Sequence, residues 1–488
     1  VTAAGQMLAL VQRNLRESVV ELRSCGQTLS RPELWDGQNA TAFRSQLWPR
    51  ASGSIDRLIV QLDRLSGTAE RVVRNVMVAG TDGALDHVGA GAAGALDGGP
   101  GPAPDANVQS ALAYFRANID TSTPHGDRAV LESIDQRLMA LTPAERAAFL
   151  AQLTPAELRD WNSHLAAAEA EYRGGAIENG LSSDDRTQLA NLVFGSADPQ
   201  ELEMLSQTMT NLQPPLQDVS GDGYGSLTWR STQGMPLYGP YGPSVGSDIN
   251  QGDLGDCYFL AALGSVTQTD PSFIQNHIQQ NPNGSYTVTF YRNGQPVPVT
   301  VTGDLPYSPS THAYPYANPG SQTDPETGAT ADAKWAAIYE KAYAQFRGGY
   351  DVSGQGVSGF RIVDNSALAD ITGNQTQDSD LHPFFSSGPS ISDIQSQLNN
   401  GCAITAQTNK VQTWPWQQEP TYEDGTSVGG QIVTEHQYMV LGTDPNANPP
   451  TITLQNPWGG GAAAPETVVL TQDQFDQYFA STTAVKVP

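Results

Sequence analysis

Leu8, Val11, Leu15, Val19 and Leu22 recur at steps of three and four. After a break at "WDG" the same spacing returns through Phe43, Leu47, Ala51, Ile55, Leu58, Leu62, Leu65, Ala69, Val72 and Val76. Such a period puts one apolar stripe on each of two helices and predicts an all-α hairpin over residues 1–80. Trp35 and Gly37 fall in the connection, where glycine permits a tight turn and the indole closes the end of the pair. Pro49 predicts a kink or a late start of the second helix. Residues 81–107 lose the pattern and have the Gly/Ala/Pro composition of a flexible linker.

A helical middle domain is expected at 108–218. Its helix starts are written in the sequence: Thr142-Pro143 with Glu145, Thr154-Pro155 with Glu157, and Asp198-Pro199 with Glu201 each supply an N-cap, a proline at the first helical position and a carboxylate that reaches back. Beyond residue 219 the texture changes to Gly, Pro, Tyr and β-branched residues. Two alternating runs flank Asn293-Gly294, the signal of a β-hairpin. "DAKWAAIYEKAYAQF" is helical, with Trp335, Ile338, Ala342, Tyr343 and Phe346 on one side, and "CAITAQT", "QYMVLGT" and "TITLQN" are strand-like. The C-terminal half is therefore α+β, split into a helix-rich part (219–375) and a strand-rich part (376–488). The whole chain is multidomain.

Length agrees, since 488 residues exceed one ordinary core. The formal charge of −26 repels phosphate backbones and anionic lipid, which argues against nucleic-acid or membrane-surface binding. No apolar run reaches the roughly 20 residues of a membrane helix. Three scattered cysteines, Cys25, Cys257 and Cys402, make neither a zinc pair nor a disulfide framework. His125 and His164 have no partners at ligand spacing, and Cys402 reads as a strand core residue.

Cys257 opens an apolar helix directly after "NQGDLGD", where unpaired backbone N–H groups and the positive end of the dipole favour a thiolate. Gln251, six residues earlier, can aim its amide at the same spot as the Cys257 N–H, a plausible oxyanion hole. His436 begins one strand and Asn456 ends the next. Pairing centred on "TDPNANPP" sets position 436 opposite 456, where Asn456 can hold the imidazole and Trp458 can cover the pair.

Two family resemblances follow. "ELWDGQNATAFRSQLW" resembles the Trp-x-Gly helical hairpins of type VII (ESX-type) secretion substrates, although the Tyr-x-x-x-Asp/Glu tail that accompanies them is missing here. It implies a secreted protein that pairs with another helical hairpin. "QGDLGDCYFLAAL", "WAAIYEKAYAQFRGGYD", "EHQYMVLG" and "LQNPWGG" resemble, in order, the landmark blocks of calpain-type papain-like cysteine proteases over roughly residues 240–480. This second likeness implies a two-subdomain calpain core with a cleft between the halves. Cys257 would be the nucleophile, His436 the base and then acid, Asn456 the orienting group and Gln251 the oxyanion donor.

Tyr258 stands where that family normally has Trp, which would alter the cleft wall. No cofactor is required. The likeness allows one calcium ion on Asp248 and Glu340, with backbone carbonyls near Tyr241 to Pro243, and only Glu466 is available for a second ion. The expected role is a secreted effector or toxin that cleaves protein substrates, with the helical middle domain placed to occlude the cleft. The alternatives are a catalytically silent binding module and a secreted adaptor.

Overall fold

The computed structural model describes residues 104–119, 128–173, 181–217, 219, 223–323, 328, 330–353, 366–381, 388–408, 432–459 and 465–488, all within the compact unit Pro100–Pro488. The hairpin expected over 1–80, together with Cys25 and His125, lies outside the described residues. The linker expected to run to 107 gives way earlier, because a helix starts at Pro104.

Six helices form the first layer: α1 (Pro104–Asn118), α2 (Arg128–Ala140), α3 (Pro143–Leu150), α4 (Pro155–Arg173), α5 (Ser183–Ser196) and α6 (Pro199–Thr208). All three caps read from the sequence are made. The Thr142 and Thr154 hydroxyls accept from the Glu145 and Glu157 amides, and Asp198 accepts from Gln200 and Glu201. Each such cap stabilises its helix by about 1 kcal/mol. Phe115, Phe149 and Trp161 interlock edge-on at the centre of this core, and His164 is buried within the layer.

The α+β region has two cores. In the first, α7 (Cys257–Thr269) and α8 (Trp335–Arg347) stack Phe259 on Tyr343 at 3.9 Å, with α9 (Ser366–Thr372) beside them. Helix α8 was expected to be one-sided, yet every residue from Trp335 to Phe346 is buried, including Glu340 and Lys341. Lys341 of α8 and Lys334 at its N-cap are both accommodated by oxygens. Lys341 Nζ donates to Thr302 O, Thr302 Oγ1 and Asp304 O, and Lys334 Nζ donates to Thr232 O and Oγ1.

Short strands β1 (Thr228–Arg230) and β5 (Leu305–Tyr307) pair with each other. A three-stranded antiparallel sheet joins β2 (Ile278–Gln280), β3 (Tyr286–Arg292) and β4 (Gln295–Val301). Its hairpin turns through Asn293 and Gly294, both at positive φ, as the Asn-Gly pair requires. Strands β6 (Gly320–Thr323) and β7 (Thr330–Ala333) form a separate ribbon.

The second core lies under a six-stranded antiparallel sheet ordered β12-β11-β10-β9-β13-β8. Its strands are β8 (Gln377–Asp380), β9 (Cys402–Thr408), β10 (Gln437–Asp444), β11 (Thr451–Gln455), β12 (Thr467–Thr471) and β13 (Phe479–Lys486), with α10 (Ile391–Asn399) and α11 (Gln472–Tyr478) packed on it. Helix α7 lies directly against this sheet: Ser265 Oγ donates to Ile404 O, and a Cβ at Gly264 would stand 2.0 Å from Met439 Sδ. Cys402, the first residue of β9, is half-buried.

The helical layer joins the first core through specific polar contacts. Asn191 of α5 exchanges hydrogen bonds with Pro298 O and Thr300 N of β4, and Asn283 Nδ2 takes the terminal carbonyls Phe194 O and Ala197 O. Arg186 reaches Gly348 O, Tyr350 N reaches Pro215 O, and Tyr316 Oη reaches Gln217 O. Among the described residues none of α1–α6 hydrogen-bonds Cys257, Gln251, His436 or Asn456, and the Asn191, Asn283, Arg186 and Tyr316 contacts join this layer to the first core.

Candidate active site

Cys257 is the first residue of α7, with Asp256 as its N-cap and only 3% of its surface exposed. The chain is turned into the helix by Phe259 N and Leu260 N, which both donate to Asp256 O. The backbone of Gln437, the residue that follows His436, lies near enough to the sulfur to favour the thiolate, against the stronger effect of burial. Tyr258 points away from the groove into the core, against Tyr343, and so does not form the cleft wall expected of it.

His436 precedes β10 and is held by its backbone. Its N–H donates to Thr408 Oγ1 at 2.9 Å, and its carbonyl accepts from Thr408 N at 2.9 Å. The preceding Glu435 sits at φ 52°, a left-handed turn that carries some strain in a non-glycine residue and redirects the chain. His436 Nε2 lies 2.8 Å from Asn456 Oδ1. Trp458 N also donates to that oxygen at 3.1 Å, and since a backbone N–H can only donate, the atom it meets is the amide oxygen. The neutral imidazole therefore carries its proton on Nε2, which leaves Nδ1 as the basic nitrogen. The Trp458 ring lies over the imidazole with centroids 5.0 Å apart, and Tyr438 meets it edge-on at 5.2 Å.

The strand register differs from the expected one. Met439 pairs with Gln455, which sets Asn456 level with Tyr438 instead of His436, and an irregularity falls between Val440 and Gly442. The two side chains meet all the same, because both residues sit just beyond the ends of their strands.

Burial sets the electrostatics. It pushes the Cys257 thiol up to about 12, with the Asp256 charge adding and backbone hydrogen bonds opposing. It pushes His436 down to about 4, against the hydrogen bond to Asn456. In this closed arrangement both groups are neutral. The thiolate expected from the helix N-terminus is outweighed by desolvation.

Gln251 is placed but not aimed. Its backbone N–H donates to Pro457 O at 2.9 Å, which ties the cysteine loop to the Asn456 side, while Nε2 donates to Leu254 O at 2.5 Å instead of pointing beside the Cys257 N–H. Gln251 Oε1 and Asn456 Nδ2 are both buried without a partner among the described residues.

Calcium needs several oxygens free to converge. Asp248 is fully buried, and its Oδ2 accepts from Ser244 N, Gln322 Nε2 and Trp335 Nε1 while its Oδ1 accepts from Ser247 Oγ. The Gly242 carbonyl is taken by the same Gln322 amide. Glu340 accepts from Ala317 N, and burial together with the nearby Asp256 charge holds its carboxyl well above the usual range. The two carboxyls thus belong to separate networks. No three His, Cys, Asp or Glu converge among the described residues, and the expected pair does not fit a bound cation.

Two contributors escaped the sequence reading. Thr408, which clamps His436, carries no local signal. Asp256, fully buried one residue before Cys257, had one in its N-cap position.

Residues 240–463 match the family described as calpain family cysteine protease. Calpain-13 of Rattus norvegicus is 29% identical over 256 residues, covering 49% of this chain and 34% of that protein. Calpain clp-1 of Caenorhabditis elegans is 26% identical over 308 residues, covering 59% and 32%. The calpain-type cysteine protease DEK1 of Arabidopsis thaliana is 28% identical over 221 residues, covering 43% and 9%. The chain spans about a third or less of the length of these curated relatives. Residues 240–463 thus carry a calpain-family cysteine protease domain, preceded by a helical region.

Proposed function

We propose that the chain is a cysteine endopeptidase acting on protein substrates. His436 Nδ1 takes the Cys257 proton as the sulfur attacks the peptide carbonyl. The resulting oxyanion forms beside the Cys257 N–H and the Gln251 amide, once that amide swings away from Leu254 O. Collapse breaks the C–N bond, His436 returns the proton to the leaving amine, and a thioester remains on Cys257. Water, deprotonated by His436, then releases the acid.

One observation carries this reading: the Asn456 oxygen receives both Trp458 N–H and His436 Nε2–H, which leaves Nδ1 free to act as the base. The test is casein cleavage and labelling by a thiol-directed epoxide, for wild type and Cys257→Ala, with and without chelator. Equal cleavage by the two proteins would end the proposal.

The buried sulfur and the Gln251 amide turned to Leu254 O favour a second reading, a closed and silent binding module. It predicts no epoxide labelling of wild type even with substrate present. The Trp35-x-Gly37 sequence pattern supports delivery as a secreted effector or toxin, with a second helical hairpin as export partner. Failure of Trp35→Ala to reduce the amount of protein exported to the medium would sink that part alone.

A further inference from the structure

A cavity of about 300 Å³ lies on the seam between α6 and the first protease core. Leu202, Glu203 and Ser206 line it from the helical side, and Tyr286, Asp304 and Lys334 line it from the other. Lys334 is 3% exposed, and its ammonium lies 5.2 Å from the Tyr286 ring centroid. Its two hydrogen bonds go to Thr232, and no carboxylate comes within ion-pair distance among the described residues. One of its three N–H bonds is left over.

Asp304 is 9% exposed. Its carboxylate has no hydrogen bond and no ion pair among the described residues, although its backbone carbonyl is taken by Lys341. Opposite charges so deeply buried normally pair. Here they line the same space without touching, and Glu203 brings a second carboxylate to the exposed rim. A volume of this size sits at the lower end of ligand sites, which occur preferentially where domains meet. The walls call for one anionic end, one cationic end and a small apolar body against Leu202 and Tyr286.

We propose that this seam cavity binds a free amino acid or dipeptide, with its carboxylate on Lys334 and its ammonium against Asp304 and Glu203. Such an occupant completes the split charge pair and ties α6 to the protease core, so it stabilises the joined state. None of the residues involved belongs to the Cys257 site, and the inference stands whether or not the chain cleaves peptides.

Thermal unfolding of the full chain with L-leucine, its methyl ester and N-acetyl-leucine tests it. The free amino acid at about 10 mM raises the midpoint on the order of 3 °C, whereas the ester, lacking the carboxylate, and the acetyl derivative, lacking the amine, do not. Lys334→Met removes the response. Because that change also strips Thr232 of its donor, Glu203→Trp, which lays an indole across the rim without entering either core, provides a second loss of response. An absent shift with L-leucine, an equal shift with the ester, or a response retained in Glu203→Trp overturns the proposal.

Discussion

His436 and Asn456 are joined at 2.8 Å through Nε2 and Oδ1, although the β10–β11 ladder sets Asn456 two residues away from the histidine. The contact belongs to the strand ends and not to the ladder, so it can be altered without disturbing the sheet. Asn456→Ala should lower kcat by roughly 10²-fold or more with little change in KM, because the imidazole loses its tautomer and its aim. Asn456→Asp places a carboxylate at the same position and favours the imidazolium. The acid limb of the kcat profile should then move to higher pH, since the base must lose its proton to work. An unshifted limb in Asn456→Asp would show that the two side chains do not interact during turnover.

The close approach of α7 to β10 offers a second test. A methyl at Gly264 meets Met439 Sδ at 2.0 Å and Cγ at 3.1 Å, so Gly264→Ala forces the methionine aside on the strand that leads away from His436. Overpacking of this kind costs about 1–3 kcal/mol. Met439→Ala vacates the space, and the double variant should be more stable than the sum of the single changes by at least about 0.5 kcal/mol. Urea unfolding midpoints of the four proteins measure this, and strict additivity would contradict it.

Stability should depend on pH through the buried imidazole. The folded value of His436 is about 4, against about 6.5 for the ordinary ring. Between these values the unfolded chain binds a proton that the folded one refuses. This contribution is therefore complete above about pH 6.5 and is lost as pH falls toward 4, on the order of 3 kcal/mol in all. His436→Gln removes it. The difference in unfolding free energy between wild type and variant should shrink from pH 7.5 to pH 4.5, and a constant difference would show that the ring is solvated in the folded protein.

Chelator should leave both activity and unfolding midpoint unchanged, since the Asp248 carboxylate is already saturated by four donors. Asp248→Ala should nonetheless destabilise by about 1–3 kcal/mol or more, because Trp335 Nε1 and the Ser244 amide lose their acceptor. A calcium-dependent rise in midpoint that Asp248→Ala abolishes would restore the metal.

Features legible in the sequence were those whose cause is local. Thr142, Asp198 and the Asn293-Gly294 turn act within four residues, so their types dictate their geometry. Cys257, His436 and Asn456 stood out through their neighbouring blocks, and the structure adds the hydrogen bond between the last two. What stayed hidden depends on distant chain. Gln251 is anchored through its backbone N–H to Pro457, far along the chain, with its side-chain amide on Leu254 O. Asp248 is consumed by Gln322 and Trp335, residues 74 and 87 positions away. The β10–β11 register is offset by two positions and interrupted between Val440 and Gly442, which an alternating pattern does not reveal.

Asn283 caps the end of α5 from the protease side, and Asn191 returns the contact onto β4. A recombinant fragment trimmed to the family match at 240–463 would remove Asn191 itself and strip the partners of Asn283, Tyr316 and Tyr350. It would also discard β13, the strand between β9 and β8. The smallest piece worth expressing therefore runs from Pro104 to the last residue, and poor yield from a shorter one would report a severed scaffold, not an inactive enzyme.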